Sequence, residues 1–278
     1  MRTFTEAQAY AQQSLSRLGR PNAINEARWL IEQLRRDFAL PADENILTRP
    51  AQSRLQNWLQ RLQADEPFQY VLGNVDFFAL TLLVGPGVLI PRPETELLVE
   101  EAITAYPGTG AICDLCTGSG AVALALAHAL PAAQVIGIDL SEQALYWAQR
   151  NLCSLQLANV SFYQGDLLHS LTPGRRFSLL TANPPYVAQQ EYTQLPAVIR
   201  KYEPRLALEA GHDGLDIIRR IAHEAKPYLL PDATLLLEIG SEQGSEVLQI
   251  LSAAGYEDCS ISKDYAQLDR IAKARYKQ

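Results

Sequence analysis

Two short segments carry side chains whose types and spacing suit chemistry. Asn183-Pro184-Pro185-Tyr186 follows directly on the apolar run Phe177 to Ala182, which has the texture of a strand. The two prolines lock their own φ, hold Asn183 extended and remove two backbone donors. The surface left to a ligand is made of acceptors, the Asn183 side-chain oxygen and the Pro184 carbonyl. Such a face suits a planar NH2 group: its hydrogens go to the two oxygens, its flat body stacks on Tyr186, and its nitrogen points at an electrophile. The second segment, Cys116-Thr117-Gly118-Ser119-Gly120, joins the apolar Ile112-Cys113-Asp114-Leu115 to AVALALAHAL. Strand, glycine turn and helix in that order bring backbone against a ligand at the carboxyl end of a strand. Nineteen residues beyond Gly120, the run Gln134 to Ile138 ends in Asp139, whose carboxylate is placed to bridge the two hydroxyls of a ribose. The pair describes an adenosine site and leaves NAD and S-adenosylmethionine both open.

Both segments need a parallel sheet to position them. From Glu94 onward, helix-like and strand-like stretches alternate, the pattern of a parallel sheet covered on both faces. The expected order is a helix at 94–105, a strand at 111–115, a helix at 120–129, a strand at 134–139, a helix at 141–152, and strands at 159–164 and 177–182. A helix at 214–229, a strand at 233–239, a helix at 242–253 and a strand pair at 256–262 and 268–276 follow. The fold class is α/β: a doubly wound, mostly parallel, Rossmann-like sheet with an antiparallel C-terminal strand pair. Residues 187–213 make an unusually long connection at a strand end, where loops are commonly functional.

Three segments divide the chain. Residues 1–66 are expected to form a small helical domain. Thr3 and Glu6 have capping-box spacing, Ile24, Ala27, Trp29-Leu30-Ile31 and Leu34 share one helix face, and Pro50 opens a third helix. Trp29 and Trp58 are expected in the core of that unit. Residues 67–93, rich in aromatic and β-branched side chains and punctuated by Gly73 and Gly85-Pro86-Gly87, are expected to form a β-hairpin linker. Residues 94–278 form the sheet domain.

Composition narrows the function. The 278 residues carry 24 basic and 31 acidic side chains, a net charge of -7, which argues against a nucleic-acid backbone as main partner. Four scattered cysteines and an N-terminus without an apolar run suit a cytoplasmic protein. The uncharged run from Leu115 to Ile138 is broken by Gly118, Gly120, Pro131 and Gly137, so no membrane span is expected. Cys113 and Cys116 have CxxC spacing, but no histidine or further cysteine lies at ligand spacing, so no metal is expected. His128, His169, His212 and His223 show no catalytic spacing. Glu94 and Glu96 are candidate acids, with helix capping as the competing reading.

NPPY, together with DLCTGSG, the segment Pro91-Arg92-Pro93-Glu94-Thr95-Glu96 and the segment Tyr202-Glu203-Pro204-Arg205-Leu206-Ala207-Leu208, resembles the release factor glutamine methyltransferases, the HemK/PrmC family. The resemblance spans essentially the whole chain. It implies methyl transfer from S-adenosyl-L-methionine to the side-chain amide nitrogen (N5) of the glutamine in the GGQ motif of peptide chain release factors, an event in translation termination. It implies that Cys116, Thr117, Gly118, Ser119, Gly120 and Asp139 contact the cofactor and that Leu167, beside Asp166, lies along the adenine. It further implies that Asn183 touches both ligands, that Asn183 to Tyr186 hold the glutamine, and that residues 1–66 dock the protein substrate. NPPY alone is shared with adenine-N6 and guanine-N2 nucleic-acid methyltransferases, the alternative reading, and a non-catalytic adaptor is a third. Two departures stand out: Cys116 occupies a position where the family usually has glycine, and the segment Lys263 to Arg270 lacks a glycine often found there.

Overall fold

A computed structural model describes residues 1–41, 43–172, 174 and 176–277. The chain divides into two compact units, Met1–Gly73 and Asn74–Gln278. In the first, helices α1 (Phe4–Arg17), α2 (Ala23–Asp37) and α3 (Arg49–Gln63) are followed by the short α4 (Phe68–Leu72). Thr3 caps α1 by accepting from the Glu6 backbone N–H, and Thr48 does the same for α3 from Ala51. Phe4, Leu15, Leu30, Leu34, Leu55, Trp58 and Leu62 form the core, to which Phe68 and Val71 are added. Because α4 packs into this core, the helical unit runs to Gly73 rather than to residue 66. Gly73 ends α4 at a φ of 85°. Trp58 is buried as expected, whereas Trp29 and Ile24 are exposed. The buried stripe of α2 runs through Ala23, Ala27, Leu30 and Leu34 at helical spacing, so Trp29 falls at its edge and meets the Phe68 ring at 6.0 Å.

The second unit opens with an antiparallel hairpin, β1 (Asn74–Phe77) and β2 (Leu80–Leu83). A 3-10 turn at Pro93–Thr95 leads into α5 (Glu96–Ala105), then β3 (Ala111–Leu115), α6 (Ala121–Ala129), β4 (Val135–Asp139), α7 (Glu142–Leu155), β5 (Val160–Gln164) and β6 (Phe177–Ala182). The long connection holds two short helices, α8 (Gln189–Tyr192) and α9 (Ala197–Tyr202). It is followed by α10 (Asp216–Glu224), β7 (Leu229–Glu238), α11 (Gly244–Ala253), β8 (Glu257–Lys263) and β9 (Asp269–Tyr276). The expected helix at 214–229 stops at Glu224, since Pro227 interrupts it, and β7 starts four residues early with a register irregularity around Pro231.

The seven strands lie in the order β5-β4-β3-β6-β7-β9-β8, parallel except for β9 and β8. Leu98, Val99, Val122 and Leu126 of α5 and α6 cover one face. Ile218, Ile221, Val247 and Leu251 of α10 and α11 cover the other. The C-terminal hairpin closes without the absent glycine. Gln267 takes the left-handed conformation at a φ of 63°, and the Asp264 carboxylate accepts from the Ala266 and Leu268 backbone at 2.9 and 3.1 Å while pairing with Arg270.

Candidate active site

Strand register builds the site. Ile138 pairs with Leu115, Leu115 with Ala182, and Ala182 with Leu237. The next residues along these strands, Asp139, Cys116, Asn183 and Glu238, therefore line up across β4, β3, β6 and β7 at their carboxyl ends. The chain reverses its direction of winding between β3 and β6, and the crevice outside that reversal is where open α/β sheets bind ligands. A cleft of about 1120 Å³, counting space open to solvent, lies there.

Of the residues expected to touch a cofactor, Cys116, Thr117, Gly118, Ser119, Asp139 and Leu167 line the cleft. Asp139 accepts from Gly118 N–H and Ser141 N–H, both at 2.8 Å, one on each carboxylate oxygen. Each oxygen keeps a lone pair for a hydroxyl, as a ribose-binding acid requires. Burial pushes the Asp139 carboxyl above the ordinary carboxylate range, against these backbone hydrogen bonds. The Ser119 hydroxyl oxygen is buried without a hydrogen-bond partner, a polar atom on the cleft wall that a bound polar ligand would satisfy. Cys116 and Leu167 sit at φ of 54° and 50°, a costly conformation for side chains with a Cβ and one that collects at ligand sites. The positive φ at 116 is the reason glycine suits this position. Burial, with Asp139 and Asp114 nearby, pushes the Cys116 thiol well above its ordinary value, so it stays uncharged.

Gly120 does not line the cleft. Its φ is 82°, and a Cβ there would stand 2.8 Å from Phe162 and 3.0 Å from Leu124. It is required by packing under the turn, not by approach of a ligand. Gly118, with a φ of 59° and only Val88 as far as 4.0 Å from such a Cβ, is the glycine that faces open space. Beneath the turn, the buried Asp114 accepts from Thr117 at 2.6 Å and from Thr181 at 2.8 Å, tying the glycine turn and β3 to β6. Burial pushes its carboxyl up to about 7.

Asn183 and Pro185 also line the cleft, as do Thr95 and Arg92 of the PRPETE segment. Asn183 Nδ2 donates to Thr95 Oγ1 at 3.2 Å, which leaves the Asn183 oxygen for a ligand. Neither Pro184, which is buried, nor Tyr186 is among the residues lining the cleft. The expected stacking role of Tyr186 is thus not what the structure places. Its carbonyl accepts from Gln243 at 2.9 Å, and burial with the nearby Glu238 charge pushes its phenol up to about 12. Glu96 accepts from the Phe78 backbone N–H at 2.9 Å, a structural task.

Arg92, Glu203 and Glu238 escaped the sequence reading. The Glu203 carboxylate is buried, pairs with Arg92 at 2.5 Å and accepts from Ile90 N–H at 3.4 Å. This joins the PRPETE segment to the YEPRLAL loop, whose Pro204, Leu206 and Ala207 complete the cleft. Glu238 carried a readable signal, because it ends the apolar run ATLLLE as Asp139 ends VIGID. Asp166, next to Leu167, is held by Arg220 through two bonds of 2.9 and 3.0 Å. No histidine lines the cleft, and among the described residues no three His, Cys, Asp or Glu side chains are grouped to hold a metal. Among them, too, no helix is long and apolar enough to cross a membrane.

Comparison with known proteins adds three findings. Residues 6–73 match the PrmC N-terminal domain and residues 112–204 a methyltransferase domain. The release factor glutamine methyltransferase of Vibrio cholerae is 41% identical over 87% of this chain and 85% of its own, and that of Escherichia coli 35% identical over 98% and 100%. Among solved structures, a methyltransferase from Pyrococcus furiosus superposes with a TM-score of 0.55 at 16% identity, covering 83% of this chain and all of that one. The hMettl16 catalytic domain superposes at 0.58 and 14% identity, covering 86% and 87%. At these identities the likeness is one of fold.

Proposed function

The chain belongs to the release factor glutamine methyltransferase family, and from that premise we propose that it methylates the side-chain amide nitrogen of the GGQ glutamine in peptide chain release factors, in the cytoplasm, with S-adenosyl-L-methionine as donor. The observation that carries this reading is a single cleft lined by both Asp139 and Asn183. The first is a carboxylate with a free lone pair on each oxygen, the second an amide whose NH2 is already committed to Thr95.

The residues present fit the donor. Asp139 takes the ribose hydroxyls, Gly118 leaves room for close approach, the unpartnered Ser119 hydroxyl offers a polar contact, and Leu167 flanks the adenine. When bound, the donor supplies a methyl group on a sulfonium centre. A carboxamide nitrogen is a poor nucleophile, because its lone pair is delocalised into its carbonyl. As the methyl arrives, positive charge grows on the NH2 group. The fixed oxygens of Asn183 and Pro184 stabilise that charge more in the transition state than in the ground state. The proton lost from the product nitrogen becomes acidic only after transfer, so a dedicated base is not required. A panel assay tests this: labelled donor is incubated with purified release factor, ribosomal RNA and DNA in parallel. Label in the release factor alone is the expected result, and label in nucleic acid would favour the adenine-N6 or guanine-N2 reading.

A further inference from the structure

Stabilising charge with fixed oxygens requires that the backbone carrying them be held still. Beyond the end of β6 at Ala182, two successive residues lack an N–H, so Pro184 and Pro185 have no backbone donor with which to tie themselves down. The face must be held by its neighbours. At its start the Asn183 side chain is anchored to Thr95 at 3.2 Å. At its end the Tyr186 carbonyl accepts from Gln243 Nε2 at 2.9 Å, across 57 residues of sequence. Val187 follows, donating to the Leu208 carbonyl at 2.8 Å and accepting from the Ala210 N–H at 3.0 Å.

Gln243 stands in the turn between β7 and α11, where it is the residue that precedes the helix. The two ends of a carboxamide are nearly equal in size, and their orientation is set by what they bond. Every partner of this one is a backbone group of fixed polarity. The Gly240 N–H can only donate, and it gives to Gln243 Oε1 at 2.9 Å. The Tyr186 and Gly214 carbonyls can only accept, and they lie 2.9 and 3.5 Å from Gln243 Nε2. The amide is therefore locked with its NH2 toward Tyr186. Gly214 leaves room for the meeting: its φ is 76°, and a Cβ there would overlap the Tyr186 carbonyl oxygen and stand 2.9 Å from Gln243 Nε2.

Resting on the function proposed above, we propose that Gln243 is a positioning residue for methyl transfer. By holding the Tyr186 carbonyl, it fixes the backbone that presents the Asn183 and Pro184 oxygens to the substrate amide. Gln243 does not line the cleft, so it acts through the NPPY segment and touches neither ligand. A misplacement of about 1 Å, caused by a change remote from the reacting atoms, can cost ~10²-fold in rate. Donor binding should be spared, because Asp139 and Gly118 stand on β4 and the turn after β3 and bond to each other.

Two substitutions of similar length separate positioning from a merely structural task. Gln243→Glu keeps an oxygen for the Gly240 N–H and loses the donor to Tyr186; Gln243→Met loses both. On the full chain with donor and release factor, both variants should lose kcat toward ~10²-fold, while the KM for release factor and the donor Kd by calorimetry stay within a few-fold of wild type. In an Asn183→Ala background, Gln243→Glu should have much less effect. Without substrate, the side-chain amide signal of Asn183 in a nitrogen–proton NMR spectrum, assigned by its loss in Asn183→Asp, should move in both variants, and the dispersion of the same spectrum shows that they are folded. Wild-type kcat in Gln243→Glu would reduce the residue to a support for the turn before α11 and overturn the proposal. An unmoved Asn183 signal, or full additivity with Asn183→Ala, would overturn it as well. If the signal moves but wild-type enzyme leaves release factors unmethylated, the proposed function fails and the hold on the NPPY segment stands.

Discussion

On the proposed function, Asn183 concentrates the chemistry in one side chain, anchored by Thr95. Asn183→Ala should lower kcat ~10²- to 10³-fold, with a smaller change in substrate affinity, because the lost interaction forms mainly in the transition state. Asn183→Asp keeps an oxygen in place and should retain activity clearly above that of alanine; single-turnover kinetics on a release factor checks both. Asp139→Ala deletes a charge-assisted contact to ribose hydroxyls worth about 1.5–3 kcal/mol, so the donor Kd should rise about 10- to 150-fold by calorimetry. An unchanged Kd would displace Asp139 from the ribose. Both residues were legible in the sequence, since each ends an apolar strand and strand ends are visible as patterns. Thr95, 88 residues from Asn183, was not, because nothing local ties it to that amide. Tyr186 was legible as part of the motif but not in its place off the cleft lining.

At the scale of elements, the register of β4, β3, β6 and β7 sets four strand ends in a row, and the glycine turn between β3 and α6 gives the cleft its floor. Gly120 is the strictest position there. In Gly120→Ala the left-handed φ of 82° and the 2.8 Å approach to Phe162 act together. The expected loss is about 2–4 kcal/mol of unfolding free energy in chemical denaturation, against near neutrality for an alanine placed at an exposed, unstrained site. The alternation of helix and strand made this layout legible, including the antiparallel final pair. Two features were hidden. The Arg92–Glu203 pair joins segments 111 residues apart, and α8 and α9 are too short to leave a periodic pattern. The expected boundary at residue 66 fell short because α4 is a five-residue helix whose aromatic content resembles the hairpin that follows it.

At the scale of the molecule, each unit has its own core: Phe4, Leu30 and Trp58 in the first, and two apolar layers on either side of the sheet in the second. The cleft draws every lining residue from the second unit. We propose that the helical unit docks the protein substrate. On that proposal, removing residues 1–73 should leave donor affinity within a few-fold of the full chain while sharply lowering methylation of a whole release factor; normal turnover by the folded truncation would remove the docking role. The net charge of -7 accords with a protein rather than a nucleic-acid substrate. The central claim is that this cleft methylates a glutamine amide, and peptide mapping by mass spectrometry tests it most directly. After incubation with the donor, a purified release factor should carry one added methyl, fragmentation should place it on the side-chain nitrogen of the GGQ glutamine, and Asn183→Ala enzyme should leave that peptide unmodified over the same interval. A methyl on any other residue, or an unmodified GGQ peptide with wild-type enzyme that binds its donor, would contradict the account.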